Sequence, residues 1–249
     1  MNEILSDASK FVLCNEVWTK LIWRLEDKIN RILRDLKKGN KIDQVIFDNL
    51  LVTGSNLGFM YGLPKVHKPG NPMRPILSAC SQASFKLAKF LVPWLAPFAQ
   101  NQFTLSNSYT FANLFREQNP KYFMVSFAVS SLFTNVPLNE TIDIIIKKGF
   151  QRPTDVFHNL DSHTFKRLLG LAVRESYFMF DKKIYMQVDG VAMGSPLGPT
   201  LANVFMVHLE EIIMSKCPPN FKPVFYWRYV VDTIALFRDR QEAEFFKVY

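Results

Sequence analysis

The stretch Gly190-Val-Ala-Met-Gly-Ser-Pro-Leu-Gly-Pro-Thr-Leu-Ala-Asn-Val-Phe205 is a glycine- and proline-punctuated loop that runs into an apolar helix. Glycine and proline mark where regular structure stops, so this loop separates the elements on either side of it. Before it, residues 177–188 read as a β-hairpin turning at Asp181-Lys182. After it comes a helix at about 197–214. A second hairpin follows, with arms at 224–229 and 233–237 around Tyr229-Val-Val-Asp232. Hairpins joined by a helix build antiparallel sheet, not the alternating units of a parallel one. The expected class is therefore α+β.

The remaining segments agree with that class. Residues 11–38 predict a helix, with Val17, Leu21, Leu25, Ile29, Ile32 and Leu36 at helical spacing and Gly39-Asn40 to end it. Its Lys- and Arg-rich side is first a solvated face, and in a sharper reading a phosphate-contacting one. Residues 53–75 read as irregular, broken by glycine and proline and carrying Lys65, His67, Lys68 and Arg74. Residues 81–99 read as helical until the prolines intervene. Residues 121–129 predict a buried strand. Helices are expected at 138–149, capped by Asn139, and at 162–176, capped by Ser162.

With 48% hydrophobic residues the chain can bury a real core, which excludes a disordered class. A net charge of +8 favours an anionic partner, nucleic acid or a membrane surface. Cys14, Cys80 and Cys217 are odd in number and widely spaced, which argues against a disulfide framework or a zinc site and fits a reducing, intracellular compartment. The first residues lack a signal-peptide layout, and no run approaches the ~18 apolar residues of a membrane helix. The sequence stops at Tyr249 with no closing cap, so it reads as a fragment or a truncated open reading frame.

Four phrases, in order, carry a resemblance. They are Tyr61-Gly-Leu-Pro-Lys-Val-His-Lys68 with Arg74-Pro-Ile76; Val125-Ser-Phe-Ala-Val-Ser-Ser-Leu-Phe-Thr-Asn-Val-Pro137; Gln187-Val-Asp-Gly-Val-Ala-Met-Gly-Ser-Pro-Leu197; and Arg228-Tyr-Val-Val-Asp-Thr233. They resemble the fingers motif and the three palm motifs of Penelope-like reverse transcriptases, a telomerase-related group. The resemblance spans residues 57–238. It implies a right-hand polymerase with fingers and an antiparallel palm sheet, the thumb being absent from this chain. The implied regions are an N-terminal helical region (1–56), a fingers-like region (57–120) and a palm region (121–249).

The resemblance also implies roles. Lys65 and Arg74 would lie over an incoming triphosphate as fixed positive charges. Phe133 would be the steric gate against a ribose 2′-hydroxyl. Gly194 and Ser195 would let the backbone approach nucleotide and template closely. The bland alternatives are loop cations, a core phenylalanine and an ordinary loop-to-helix junction. Asp232 would be a metal ligand, and otherwise a common turn residue.

Two positions depart from the pattern. Ala128 and Val231 stand where the family carries metal-binding aspartates, and neither has a ligand atom. Nucleotidyl transfer uses two divalent cations about 3.5–4 Å apart, held by converging carboxylates. Mg²⁺ is the implied cofactor, bound weakly or not at all with one carboxylate left. Val231 is also a poor turn residue, since β-branching resists positive φ. Asp143, Asp181 and Asp189 offer no evident replacement.

The expected function is an RNA-directed DNA polymerase domain, catalytically inactive as written. Its implied partners are an RNA template with a DNA primer, or their duplex, and dNTP; no membrane is implied, and the nucleus is the implied location. The alternatives are a nucleic-acid-binding protein without chemistry and an inert retroelement relic.

Overall fold

Every long apolar stripe in this sequence needs a surface to cover, and the structure supplies two. The structure is a computed structural model that describes residues 1–116, 121–151 and 160–247. Tyr249, and the expectation attached to it, lies outside the described residues. The first elements are α1 (Asn2–Leu5), β1 (Phe11–Cys14), α2 (Trp18–Lys38), α3 (Gln44–Leu50), β2 (Gly58–Pro64), β3 (Met73–Ser78) and α4 (Phe85–Leu95). Then come α5 (Ser108–Arg116), β4 (Phe123–Ala128), α6 (Leu132–Asn135), α7 (Leu138–Phe150) and α8 (Ser162–Val173). The chain closes with β5 (Ser176–Phe180), β6 (Lys183–Gln187), α9 (Gly198–Lys216), β7 (Phe225–Tyr229), β8 (Asp232–Phe237) and α10 (Arg240–Phe246). This is an α+β fold with antiparallel sheet.

Two compact units form, each from two stretches of chain. The first comprises Met1–Pro97 and Phe133–Ala202. Its five-stranded sheet has the order β1-β6-β5-β2-β3, antiparallel except where β2 runs parallel to β5. The hairpin β5–β6 turns at Asp181 and Lys182, both at positive φ (48° and 60°), as a two-residue loop between right-twisted strands requires. Phe11, Met60, Leu77 and Phe178 form a buried cluster on this sheet. The helix α2 buries Leu21, Leu25, Ile29, Ile32 and Leu36, the stripe read from sequence.

Several boundaries differ from the sequence reading. Residues 11–14 are a strand, because Phe11 to Cys14 pair with Gln187 to Ile184 of β6; the helix starts only at Trp18, after the exposed Val17. The stretch 53–75 is not irregular throughout. It holds β2 and the start of β3; Pro69, Gly70 and Pro72 lie in the connecting turn, while Gly58, Gly62, Pro64 and Pro75 lie within the strands. The cap of α7 is not Asn139: Pro137 takes the N-cap position, and Asp189 Oδ1 accepts from the Leu138 amide at 3.0 Å. Asp161, not Ser162, caps α8, accepting from Thr164 N, and the helix ends at Val173.

The second unit comprises Phe98–Leu132 and Asn203–Tyr249. Its sheet is β4-β8-β7, antiparallel throughout. The predicted strand at 121–129 exists as β4, but it is an edge strand and not a buried one. Only Val125 and Phe127 turn inward, onto a cluster of Cys217, Ala235, Phe237, Ala243 and Phe246. The alternate positions Met124, Ser126 and Ala128 are exposed, which is the period of two of a half-buried strand. Ala128 sits on this outer face.

Candidate functional site

Within the first unit, the loop after β6 is held against its neighbours by backbone contacts. Val191 N donates to Phe133 O (2.7 Å), and Leu77 N donates to Met193 O (2.7 Å). Gly190 has φ +74°, and a Cβ there would lie 2.8 Å from Thr134 O. Gly194 has φ +118°, and a Cβ there would lie 1.9 Å from Leu77 O. No L side chain fits that position, so the glycine is required by close approach of two backbones. We expect Gly194→Ala to lower stability by about 3 kcal/mol, from left-handed strain and overpacking together. Chemical denaturation of the full chain measures this; a loss under about 1 kcal/mol would mean the loop relaxes freely.

Ser195 follows directly, its amide donating to Ala192 O (3.1 Å), and its carbonyl accepts from Gly198 N (3.1 Å) at the start of α9. Phe133 is half-buried on α6, with its ring 3.9 Å from where a Gly198 Cβ would lie. The structure therefore brings Phe133, Gly194 and Ser195 onto one connected loop system. Lys65 and Arg74 lie near the closed end of β2–β3: Lys65 N donates to Pro72 O (3.0 Å), and Arg74 pairs with Leu63. Arg74 is exposed and Lys65 half-buried. Asp189, next to the loop, is already committed. Lys10 Nζ donates to its Oδ2 at 3.0 Å, and burial, which works to raise its pKa, is outweighed by the Leu138 amide, Lys10 and the Gly190 amide. Its carboxyl stays below the usual range.

The second unit holds Ala128, Val231 and Asp232. Ala128 and Asp232 are direct register partners across β4 and β8. The turn introduces no offset between them, contrary to the looser spacing that a displaced hairpin end would give. Tyr229 also pairs with Asp232, leaving Val230 and Val231 as a two-residue turn. The strained residue is Val230, at φ +55°; Val231 is not in the left-handed region, so the strain expected there falls one residue earlier. A β-branched residue in that region costs on the order of 1–3 kcal/mol and persists only when its surroundings hold it.

The holding group is Arg228, which is fully buried. Its Nε donates to Glu210 Oε1 on α9 at 2.6 Å, and its Nη1 donates to Val230 O (3.1 Å) and Asn203 Oδ1 (2.9 Å). Asn101 Nδ2 donates to the other Glu210 oxygen at 2.8 Å. The Arg228 backbone is also bonded on both sides, to Phe103 O and Leu105 N. Burial first, and the Glu210 carboxylate second, push the neighbouring Tyr226 phenol upward. Sequence reasoning missed this network. Part of its signal was present: one arginine inside the aromatic arm Phe225-Tyr-Trp-Arg-Tyr229.

The family model for "Reverse transcriptase (RNA-dependent DNA polymerase)" matches residues 66–246. The chain belongs to the reverse transcriptase family. Among solved structures, this reverse transcriptase domain is similar to the Candida albicans telomerase in complex with a fragment of telomeric RNA. That match has TM-score 0.56 and 12% identity, over 78% of this chain and 40% of the telomerase. It is also similar to apo telomerase from Candida tropicalis, with TM-score 0.56 and 9% identity over 79% of this chain and 42% of that one. A form of that telomerase truncated from its C-terminal domain gives TM-score 0.53 and 12% identity, covering 79% and 47%. At these identities the likeness is one of fold, and this chain spans less than half the length of the telomerases. A search of curated proteins finds no match.

Reverse transcriptases work with Mg²⁺, so the donor set of this one can be tested against that ion. Mg²⁺ takes oxygen ligands in near-octahedral geometry. Asp232 is exposed and offers one carboxylate, its partner Ala128 offers a methyl group, and Val231 an isopropyl group. Among the described residues, no group of three His, Cys, Asp or Glu side chains could hold a metal ion. The residues present do not fit a two-ion site.

Proposed function

We propose that this chain is the fingers-and-palm portion of a Penelope-like retroelement reverse transcriptase, inactive as written. In this reading residues 1–56 are the N-terminal helical region, 57–120 the fingers-like region and 121–249 the palm. Its natural partners are an RNA template, a DNA primer and dNTP, and its place is the nucleus. No helix among the described residues is long and apolar enough to cross a membrane.

The observation that carries the reading is the pairing of Ala128 with Asp232, with Val231 in the adjoining turn. Three neighbouring positions at one end of this sheet are where converging carboxylates would serve phosphoryl chemistry, and two of them hold apolar side chains. Lys65 and Arg74, exposed or half-exposed near one hairpin end, suit a triphosphate because fixed cations offset polyanionic charge. Arg74 can fork onto two phosphate oxygens, while Lys65 acts as a point charge. Gly194 suits close backbone approach, Ser195 supplies a small hydroxyl beside it, and half-buried Phe133 suits a steric gate at the ribose. Asp232 is the one carboxylate left.

A second reading, nucleic-acid binding without chemistry, is favoured by the net charge of +8. Primer extension on an RNA template, run beside binding to the same RNA–DNA duplex, tests both. We expect no detectable dNTP incorporation, and duplex affinity that falls steeply with salt as condensed counterions are released. Robust extension by the unmodified chain would overturn the inactive assignment. Affinity that ignores salt, or no duplex binding at low salt, would remove the binding reading.

A further inference from the structure

An open groove of about 510 Å³ runs between α2 and α8, within the first unit. Arg24, Lys28 and Arg31 line it from α2, and Arg167 and Arg174 from α8. Against these five cations it holds two acids, Asp27 and Glu175. Both acids are spoken for, Asp27 by Arg31 and Glu175 by Lys28, each at 2.6 Å. Arg24 is paired outside the groove, with Glu16 at 2.9 Å. Arg167 and Arg174 are exposed, seven residues apart, and make no side-chain hydrogen bond or ion pair with any described residue.

The floor is kept clear. Gly170 sits inside α8, where glycine costs about 1 kcal/mol relative to alanine. A Cβ there would meet nothing nearer than Arg174 at 3.9 Å, so a larger side chain would fill the groove and not clash. Helix α2 has a further feature. Trp23, one residue before Arg24, is 66% exposed and makes no ring contact with a described residue. An exposed indole on the helix that lines the same groove as two unpaired guanidiniums is a combination that a single nucleic-acid strand can use. Phosphates lie on the cations and a base stacks on the ring.

We propose that the α2–α8 groove binds the sugar–phosphate backbone of a single nucleic-acid strand, with Arg167 and Arg174 on phosphates and Trp23 under a base. The assignment is independent of the polymerase reading, since it uses neither Asp232 nor the Gly194 loop. Guanidinium forks bind phosphate oxygens bidentately, so two unpaired arginines are worth more here than two lysines on a flat surface.

The test is fluorescence anisotropy of labelled oligouridylate and oligothymidylate with the full chain, across a salt series. Arg167→Glu/Arg174→Glu is expected to weaken binding by about 30-fold or more and to flatten the salt slope by about 1.4, two phosphates at ~0.7 each for a single strand. Trp23→Ala is expected to weaken it by about 10-fold with the salt slope unchanged, as loss of stacking without loss of charge. The reference is Lys182→Glu/Lys183→Glu, an equal charge change on the exposed β5–β6 turn, expected to cost under about 3-fold. Should charge reversal perturb folding, Arg167→Gln/Arg174→Gln gives the same direction with a smaller effect. Equal losses in the groove and reference variants would overturn the proposal. So would binding to phosphatidylserine-rich vesicles without binding to either oligonucleotide, or preference for duplex with Trp23→Ala silent. Unimpaired oligonucleotide binding by the groove variants, with primer extension unaffected, would sink this site and leave the polymerase reading standing.

Discussion

Glu210→Leu is expected to destabilise the second unit by about 3–5 kcal/mol, because it strands a buried guanidinium. Arg228 has no solvent to turn to: its side chain is 0% exposed and that of Glu210 is 2%. The substitution roughly keeps volume, so the loss is electrostatic and not a cavity effect. Arg228→Met with Glu210→Leu should recover most of it, since a well-packed apolar pair replaces an ion pair at little net cost. A residue of about 1–3 kcal/mol should remain, because Asn101 and Asn203 lose buried partners. Urea denaturation followed by Trp227 fluorescence, with midpoints for both singles and the double, gives the coupling directly. Amide exchange at Val231 and Asp232 should rise in either single variant, since Arg228 also holds the Val230 carbonyl. A Glu210→Leu effect no larger than the ~1 kcal/mol of a surface pair would mean water reaches the guanidinium.

Much of this fold was legible because its signals were local. The Asp181-Lys182 turn, the Gly39-Asn40 stop and the stripe from Leu21 to Leu36 each declare themselves within a few residues. What escaped depends on distant partners. Residues 11–14 read as helix until β6, at least 170 residues away, pairs with them. The caps of α7 and α8 were misassigned because hydroxyl or amide side chains near a helix start look equivalent in sequence. Only the fold shows that Asp189 reaches the Leu138 amide. The candidate site divides the same way. Gly194 could be singled out by type, and its φ of +118° with Leu77 O at 1.9 Å from a Cβ gives the reason. That Ala128 and Asp232 lie on neighbouring strands followed from treating both segments as strands of one sheet, whereas their direct register shows only in the fold. The Arg228–Glu210 pair did not, because no pattern of one strand or one helix says that two charged side chains will meet in a core. Strain was assigned to Val231, whereas the turn places it at Val230, a one-residue error in where a hairpin bends.

Restoring carboxylates is the experiment with the largest expected effect. The pairing of Ala128 with Asp232, and the seat of Val231 in the same turn, mean that Ala128→Asp and Val231→Asp would each add oxygen donors beside an existing one. Either substitution alone is expected to do little for extension, because groups that act as a unit are strongly non-additive. The double variant, when fused to a thumb domain, is expected to bring template-directed dNTP incorporation from undetectable to measurable. It should be assayed alone and fused to a thumb domain, since this chain spans less than half the length of the telomerases it resembles. A second readout separates ion binding from catalysis. Three carboxylates at one end of the sheet repel one another until a cation is present, so the double variant should lose stability in EDTA and regain it with Mg²⁺ or Mn²⁺. A ligand bound only by the native state adds about 2.7 kcal/mol at a hundredfold excess over its dissociation constant. The unmodified chain, with Asp232 alone, should show no such metal-dependent shift. A double variant that gains the shift without extending a primer would place the remaining defect away from the carboxylates, in the loop around Gly194 or the hairpin end carrying Lys65. A double variant with neither response would mean that these three positions never formed a metal site, and the inactive-polymerase reading would fall with it.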